Sequence, residues 1–223
     1  MRKTITVKAT ILAFAIITSI VMVLTGCQSA NKDVANIYLH LEKAAKMESN
    51  LVNQQNELAD LLKKEQKIYT NILSVTVNNK KMDGMLEEAT NLVGKRKLLL
   101  KKEKRSFQQS YKEVSQINTL IKKIEDKDLQ QKAEKVAEIM NNRYKTYNKI
   151  YNKSMQEIKS NQDLYTLLLQ KNSHLEKYDK QIKQMNKQTK EIKVLQNHFN
   201  KYTKEYNEAK IALYKAGNLK WKS

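Results

Sequence analysis

A chain of 223 residues with no proline and only four glycines has very few places at which it can turn. Between residues 27 and 216 the only glycines are Gly84 and Gly94. Turns are built chiefly from Gly, Pro, Asn and Asp, and a sheet needs many of them. The sequence is therefore restricted to long helices with few connections, an all-α fold.

Apolar residues recur at steps of three and four along four segments, the period of a helix with one buried stripe. The first seam runs through Val34, Ile37, Leu41, Ala44, Leu51, Leu58, Leu62, Tyr69 and Ile72, with Glu48, Gln55, Glu65 and Thr76 as polar exceptions. The second runs from Met82 and Met85 through Leu92, Leu99, Phe107 and Val114 to Ile124, with Arg96 and Glu103 as intruders. The third includes Ala133, Val136, Met140, Ile158 and Tyr165. It also carries a stripe of Tyr144, Tyr147 and Tyr151, which reads as core with hydroxyls reaching the rim. The fourth runs from Tyr178 and Ile182 through Ile192, Phe199 and Tyr206 to Leu213 and is interrupted at Thr189.

The breaks between seams are short. Asn78 to Met82 separates the first two helices, and in Glu125-Asp-Lys-Asp128 either Asp126 or Asp128 can accept from free amides of the next helix. Ser173-His-Leu-Glu176 has the spacing of a capping box, and Gly217 supplies a left-handed stop after Ala216. Four amphipathic segments joined in this way predict an elongated antiparallel bundle of four coiled-coil-like helices. A three-helix rod follows instead if the region near Asn78 is only a kink. The expected organisation is a signal over 1–26, a cysteine and tether over 27–32, a helical bundle over 33–217 and a tail over 218–223.

The start of the chain has a different character. Arg2, Lys3 and Lys8 precede an apolar run from Ala9 to Leu24, and Leu24-Thr-Gly-Cys27 follows. This is the order of an export signal, and the sixteen-residue run is short for a bilayer span, which needs about twenty apolar residues. It resembles a bacterial lipoprotein signal, in which the cysteine thiol is diacylglycerylated and the chain is cut before Cys27. Cys27 is the only cysteine, so nothing remains for a disulfide. The body would then be tethered to the outer leaflet of the cytoplasmic membrane, on its extracytoplasmic face, by two acyl chains.

The formal net charge is +19, or +16 once Arg2, Lys3 and Lys8 are removed with the signal. Such a balance points to polyanionic surroundings. Outside the membrane these are anionic lipid and the phosphate-bearing teichoic acid, with peptidoglycan the other wall polymer to be met there, whereas nucleic acid is disfavoured. The densest basic stretch, Lys95, Arg96, Lys97, Lys101, Lys102, Lys104 and Arg105, is opposed only by Glu103 and lacks the interleaved aromatics that stack bases. It is the candidate for binding an anionic polymer, against the alternative of a merely solvated face. A second positive ridge, Lys180, Lys183, Lys187 and Lys190, lies on the fourth helix.

From Val34 to Ala216 the chain also resembles the YkyA-type cell-wall-binding lipoproteins of Gram-positive bacteria. The residues that carry the likeness are Ile37-Tyr38, Glu65 with Ile68-Tyr69, Met140 with Arg143-Tyr144 and Tyr147, and above all Phe199-Asn200 with Tyr202-Thr203, Tyr206-Asn207, Ala209-Lys210 and Tyr214. The resemblance implies an all-helical lipoprotein assigned to wall binding. The strong positive charge is a departure from it.

No catalytic signature is present. His40, His174 and His198 are far apart in sequence and lack ligand-spaced companions. There is no nucleophile elbow, zinc motif or phosphate loop, so no enzyme, metal or cofactor is expected. Two functional classes remain. One is a non-catalytic module holding anionic wall polymer. The other is a structural protein whose helices pair with another envelope protein, hinted at by Leu98-Leu99-Leu100 if it forms an exposed apolar ladder.

Overall fold

The computed structural model describes residues 32–74, 80–170 and 175–219. Among them are four long helices, α1 (Lys32–Ser74), α2 (Lys80–Ser115), α4 (Lys127–Leu169) and α5 (Leu175–Ala216), a one-turn helix α3 (Ile117–Ile121), and no strand. The fold is all-α with the four-helix count. No described helix is long and apolar enough to cross a membrane. Cys27, the signal, Thr76, the region near Asn78, the Ser173 cap and Trp221 lie outside the described residues.

The seams are where the periodicity puts them. Val34, Ile37, Leu41, Leu58 and Tyr69 are buried on α1, Met82, Leu92, Leu99 and Phe107 on α2, Val136, Met140 and Tyr147 on α4, and Ile182, Phe199 and Leu213 on α5. The polar exceptions on the same spacing, Glu48, Gln55, Glu65, Arg96 and Glu103, are buried too. Helical geometry carries them inward whatever their polarity.

The described residues form two compact units. The first takes the described parts of 54–102 and 149–195, the second those of 32–53, 103–148 and 196–219. Each is built from a part of all four long helices. In the second unit the contact register gives the chain directions. Glu48, Glu42 and Tyr38 of α1 meet Arg143 of α4 and then Lys210 and Tyr214 of α5, while Phe107 and Tyr111 of α2 meet Tyr147 and Tyr144. Sequence-adjacent helices therefore run antiparallel there, as in an up-and-down bundle. In the first unit Lys153 pairs with Glu191, Ser160 accepts from Gln181, and Leu167 accepts from Tyr178, so α4 and α5 are antiparallel there as well.

Three helix ends are closed in different ways. Asp126 Oδ1 accepts from the amides of Asp128 and Leu129 at 2.9 and 3.1 Å, so it is the Asp126 alternative that caps α4. At the other end of α5 the left-handed residue is Asn218, with φ of 53°, not Gly217. Leu219 N–H bonds to the Tyr214 carbonyl and Asn218 N–H to that of Lys215, the paired closure of a Schellman motif. Gly217 is required for a different reason: a Cβ there would lie 2.8 Å from Val34 Cγ1. The third end is a break that the seam conceals. The apolar pattern runs on to Ile124, yet α2 stops at Ser115 and resumes as α3 at Ile117. Ser115 Oγ donates to the carbonyls of Tyr111 and Lys112, and Gln116 Nε2 donates to that of Lys112, so these side chains engage the preceding turn at the break.

Candidate functional site

Each unit contains a buried ionic layer, and the two layers differ in how well they are closed. In the second unit Arg143 Nη1 and Nη2 donate to Glu48 Oε1 and Oε2 at 2.8 and 2.7 Å. Ser110 Oγ donates to the same carboxylate at 2.5 Å, and Arg143 Nε donates to Thr203 Oγ1 at 2.9 Å. The guanidinium lies over the rings of Phe107 and Phe199 at 4.8 and 5.1 Å. A bidentate pair with the third nitrogen of the guanidinium also bonded and its faces covered by aromatic rings is the arrangement in which a buried charge is tolerated.

In the first unit Arg96 sits between two carboxylates, Nε 3.3 Å from Glu65 Oε1 and Nη1 3.4 Å from Glu157 Oε2. The geometry is poorer. Glu65 Oε1, Arg96 Nε and Nη2, Tyr69 Oη, Asn161 Oδ1 and Gln188 Oε1 are buried without a hydrogen-bond partner among the described residues. Burial pushes the Glu65 carboxyl up to about 7; Arg96 pulls it down and Glu157 pushes it further up. Tyr69 is likewise raised, to about 12, by burial.

These layers decide which cations face solvent. Of the seven residues singled out on α2, Arg96 is 2% exposed and belongs to the core, so its guanidinium is spent on Glu65 and Glu157. Lys95, Lys101, Lys102 and Arg105 are exposed, and Lys97 and Lys104 are half-buried. Lys102 and Lys104 are engaged by other groups of the protein. On a helix turning about 100° per residue, Lys97, Lys101, Lys104 and Arg105 share one face, with Lys97 and Lys104 half-buried, while Lys95 and Lys102 lie on another.

The ridge on α5 is better defined. Lys177, Lys180, Lys183, Lys187 and Lys190 are all exposed, at steps of three, three, four and three, which places them along one side of the helix. Lys183 pairs with Asp179 at 2.5 Å, whereas the other four make no ion pair among the described residues. Glu191, the nearest acid at the far end, is held by Lys153 at 2.6 Å, which keeps its carboxyl below the ordinary range.

Other candidates change less. Leu99 and Leu100 are buried and only Leu98, at 68% exposure, faces solvent, so the apolar ladder reduces to one side chain. The tyrosine stripe is a core feature: Tyr147 packs on Phe107 at 4.5 Å and Tyr144 stacks on Tyr111 at 3.9 Å and 4°. His40 shares Glu113 with Lys43, and His198 is exposed. Among the described residues no three His, Cys, Asp or Glu side chains gather as metal ligands. The role of Arg143 is visible only in the contacts. The signal for it is its place one heptad after Val136 and one before Ile150, both buried.

Two comparisons relate the chain to known proteins. The family pattern named YkyA and described as "Putative cell-wall binding lipoprotein" matches residues 32–216. A Bacillus subtilis (strain 168) protein titled "Uncharacterized lipoprotein YkyA" is 31% identical over 202 residues, covering 90% of each chain. No solved structure matches the chain.

Proposed function

The chain belongs to the YkyA family of lipoproteins, and from that premise we propose that it is a lipid-tethered, non-catalytic module that holds an anionic wall polymer through solvent-facing lysines. Cys27 carries the diacylglyceryl anchor at the outer leaflet of the cytoplasmic membrane, and the helical body works on its extracytoplasmic face. The polymer is a phosphate-bearing teichoic acid, bound by many weak contacts in parallel.

The observation that carries this reading is the α5 ridge, five exposed lysines on one side of one helix, of which only Lys183 makes an ion pair among the described residues. Charge placement supports it. Helix α1 balances six basic residues with six acidic ones, while α2 and α5 each carry ten basic against five acidic. The acids of α1 supply Glu48 and Glu65 to the buried arginines, so the excess falls on outward lysines of the other helices. Lys95, Lys97, Lys101 and Arg105 on α2 add a second contact set, and Arg96 is not part of it. The pairing alternative has lost its main sequence hint with the burial of Leu99 and Leu100.

Contacts between lysines and phosphates release counterions and weaken steeply with salt. Gram-positive walls, intact or chemically stripped of teichoic acid, are sedimented with the full-length chain in detergent micelles across a salt series. Binding should require the polymer and fall as salt rises. A K180E/K187E double variant, altered only at exposed positions, should lose most of it with folding unchanged. Equal binding to stripped and intact walls, or binding indifferent to both salt and the variant, would discard the polyanion reading.

A further inference from the structure

The second unit contains a cleft that the ionic surface does not explain. It lies between α2–α3 and α4, has a volume of about 520 Å³, and straddles the helix break: Tyr111, Val114 and Ser115 line it before Gln116, and Asn118, Ile121 and Lys122 after. Small-ligand clefts fall in the range of about 300–1,000 Å³.

We propose that this cleft binds an acetamido-sugar unit of a neutral glycan chain. Identification of that glycan with the wall's own sugar strands rests on the wall-binding reading above. The chemistry of the cleft itself does not.

Three features point to such a ligand. The first is a fixed aromatic plate. The Tyr111 ring is held on one side by Tyr144, at 3.9 Å and 4° between planes, and at its tip by a hydrogen bond from its hydroxyl to Asn141 Oδ1 at 3.2 Å. Tyr144 is not part of the cleft wall, so the part of Tyr111 that lines it is not the face Tyr144 covers. A ring immobilised in this way can receive the axial C–H face of a pyranose without losing further side-chain entropy.

The second feature is the mixture of surfaces. Val114, Ile121, Ala137 and Met140 provide an apolar wall, and Ser115, Asn118 and Asn141 bring one hydroxyl and two carboxamides to it. A carboxamide offers both donor and acceptor, which matches sugar hydroxyls and, in particular, the C=O and N–H of an acetamido group. With its Oδ1 taken by Tyr111, Asn141 retains its Nδ2 donors for a ligand carbonyl.

The third is charge. Glu134 and Glu138 outnumber the single lysine of the cleft wall, Lys122. Lys135 partly offsets Glu138 at 3.3 Å on exposed ground. A polyphosphate gains nothing here, in contrast to the α5 ridge, whereas a neutral sugar meets no electrostatic penalty. The two surfaces thus select different chemistry.

The test titrates the full-length chain in detergent micelles with the β-1,4 tetramer of N-acetylglucosamine, using the glucose tetramer as the partner that lacks acetamido groups. Side-chain amide NMR signals of Asn118 and Asn141 and tyrosine fluorescence report binding. The acetamido tetramer should shift both amides saturably and independently of salt, and the glucose tetramer should bind at least about tenfold more weakly, which is 1.4 kcal/mol. Y111F, which keeps the ring and loses the bond to Asn141, and N118A, at an exposed rim, should each weaken binding severalfold while leaving the helical signal intact. No saturable shift up to about 10 mM tetramer, equal affinity for both tetramers, or shifts that ignore both variants would overturn the cleft assignment. Salt-dependent wall sedimentation that persists in that case leaves the lysine reading standing, and tetramer binding that persists after wall sedimentation fails leaves the cleft without that source.

Discussion

Replacing Glu65 by glutamine isolates the titration of the buried ionic layer of the first unit. In the folded chain the Glu65 carboxyl is raised from 4.5 to about 7, because burial disfavours its charge more than Arg96 restores it. The folded state therefore holds a proton over this interval that the unfolded chain has released. The sign follows from linkage: the contribution of Glu65 is most favourable below its unfolded value of 4.5, declines as pH rises to about 7, and then stays at its least favourable level. A shift of roughly 2.5 units at 1.36 kcal/mol per unit makes the decline about 3 kcal/mol. Glutamine is a neutral, nearly isosteric copy of the protonated acid and leaves Arg96 paired with Glu157, so Glu65→Gln should lack the decline. Urea unfolding followed by helical circular dichroism, on wild type and variant from pH 4.5 to 8, measures it. The difference between the two cancels the carboxylates that do not couple to Glu65, leaving Glu65 and its neighbour Glu157. That difference should move by about 3 kcal/mol in favour of the variant across the interval, most of it complete by pH 7.5. A difference that does not change with pH would refute the raised carboxyl and with it the view of this layer as poorly satisfied.

The closed layer should respond differently. Arg143→Met strands Glu48 in the core and should cost about 3–5 kcal/mol in the same urea assay at neutral pH, because Ser110 alone remains to donate to a carboxylate that had three side-chain donors. Gly217→Ala is expected to lower stability by about 1–3 kcal/mol, since the new methyl would meet Val34 Cγ1 at 2.8 Å; the midpoint of thermal unfolding reads this, and pairing the change with Val34→Ala should recover most of the loss.

Periodicity made the all-α class, the four seams and the inward position of Glu48, Glu65, Arg96 and Glu103 legible, because a helix turns residues seven apart to the same side whether they are apolar or not. It could not say which acid meets which arginine. Glu48 finds Arg143 ninety-five residues later, and only the register of packed helices sets such a distance. The break at Gln116 was hidden for the opposite reason: Ile117, Ile121 and Ile124 remain buried on both sides of it, so the apolar pattern continues where the backbone does not. The choice between Asp126 and Asp128 as cap, and of Asn218 over Gly217 as the left-handed residue, depends on a one-residue difference in where a helix ends. The candidate site shows the same limit. Local density drew attention to Lys95–Arg105, but density along a chain is not density on a surface: of the crowded cations of α2, Arg96 is buried and Lys97 and Lys104 half-buried, while the evenly stepped lysines of α5 align and are all exposed.

The division of basic residues between arginine and lysine gives this alignment its meaning. Arg96 and Arg143 are buried at 2% and 1% exposure, each opposite carboxylates presented by another helix. A planar guanidinium is suited to that task because its donors are fixed in the plane of the acceptor and it is desolvated more easily than an ammonium. Lysine is suited to the opposite task. Its strongly hydrated, rotatable ammonium gains little from a fixed partner but can follow a phosphate that moves. The described arginines are committed to the core in two of three cases, Arg105 being the exposed one, while the α5 ridge is lysine throughout. If the surplus charge served only solubility, either cation would do on that ridge and acids would serve at least as well. A lysine ridge on a helix with ten basic against five acidic residues, and buried arginines matched by acids from α1, fit the proposed task of attracting a flexible polyanion over a neutral interior.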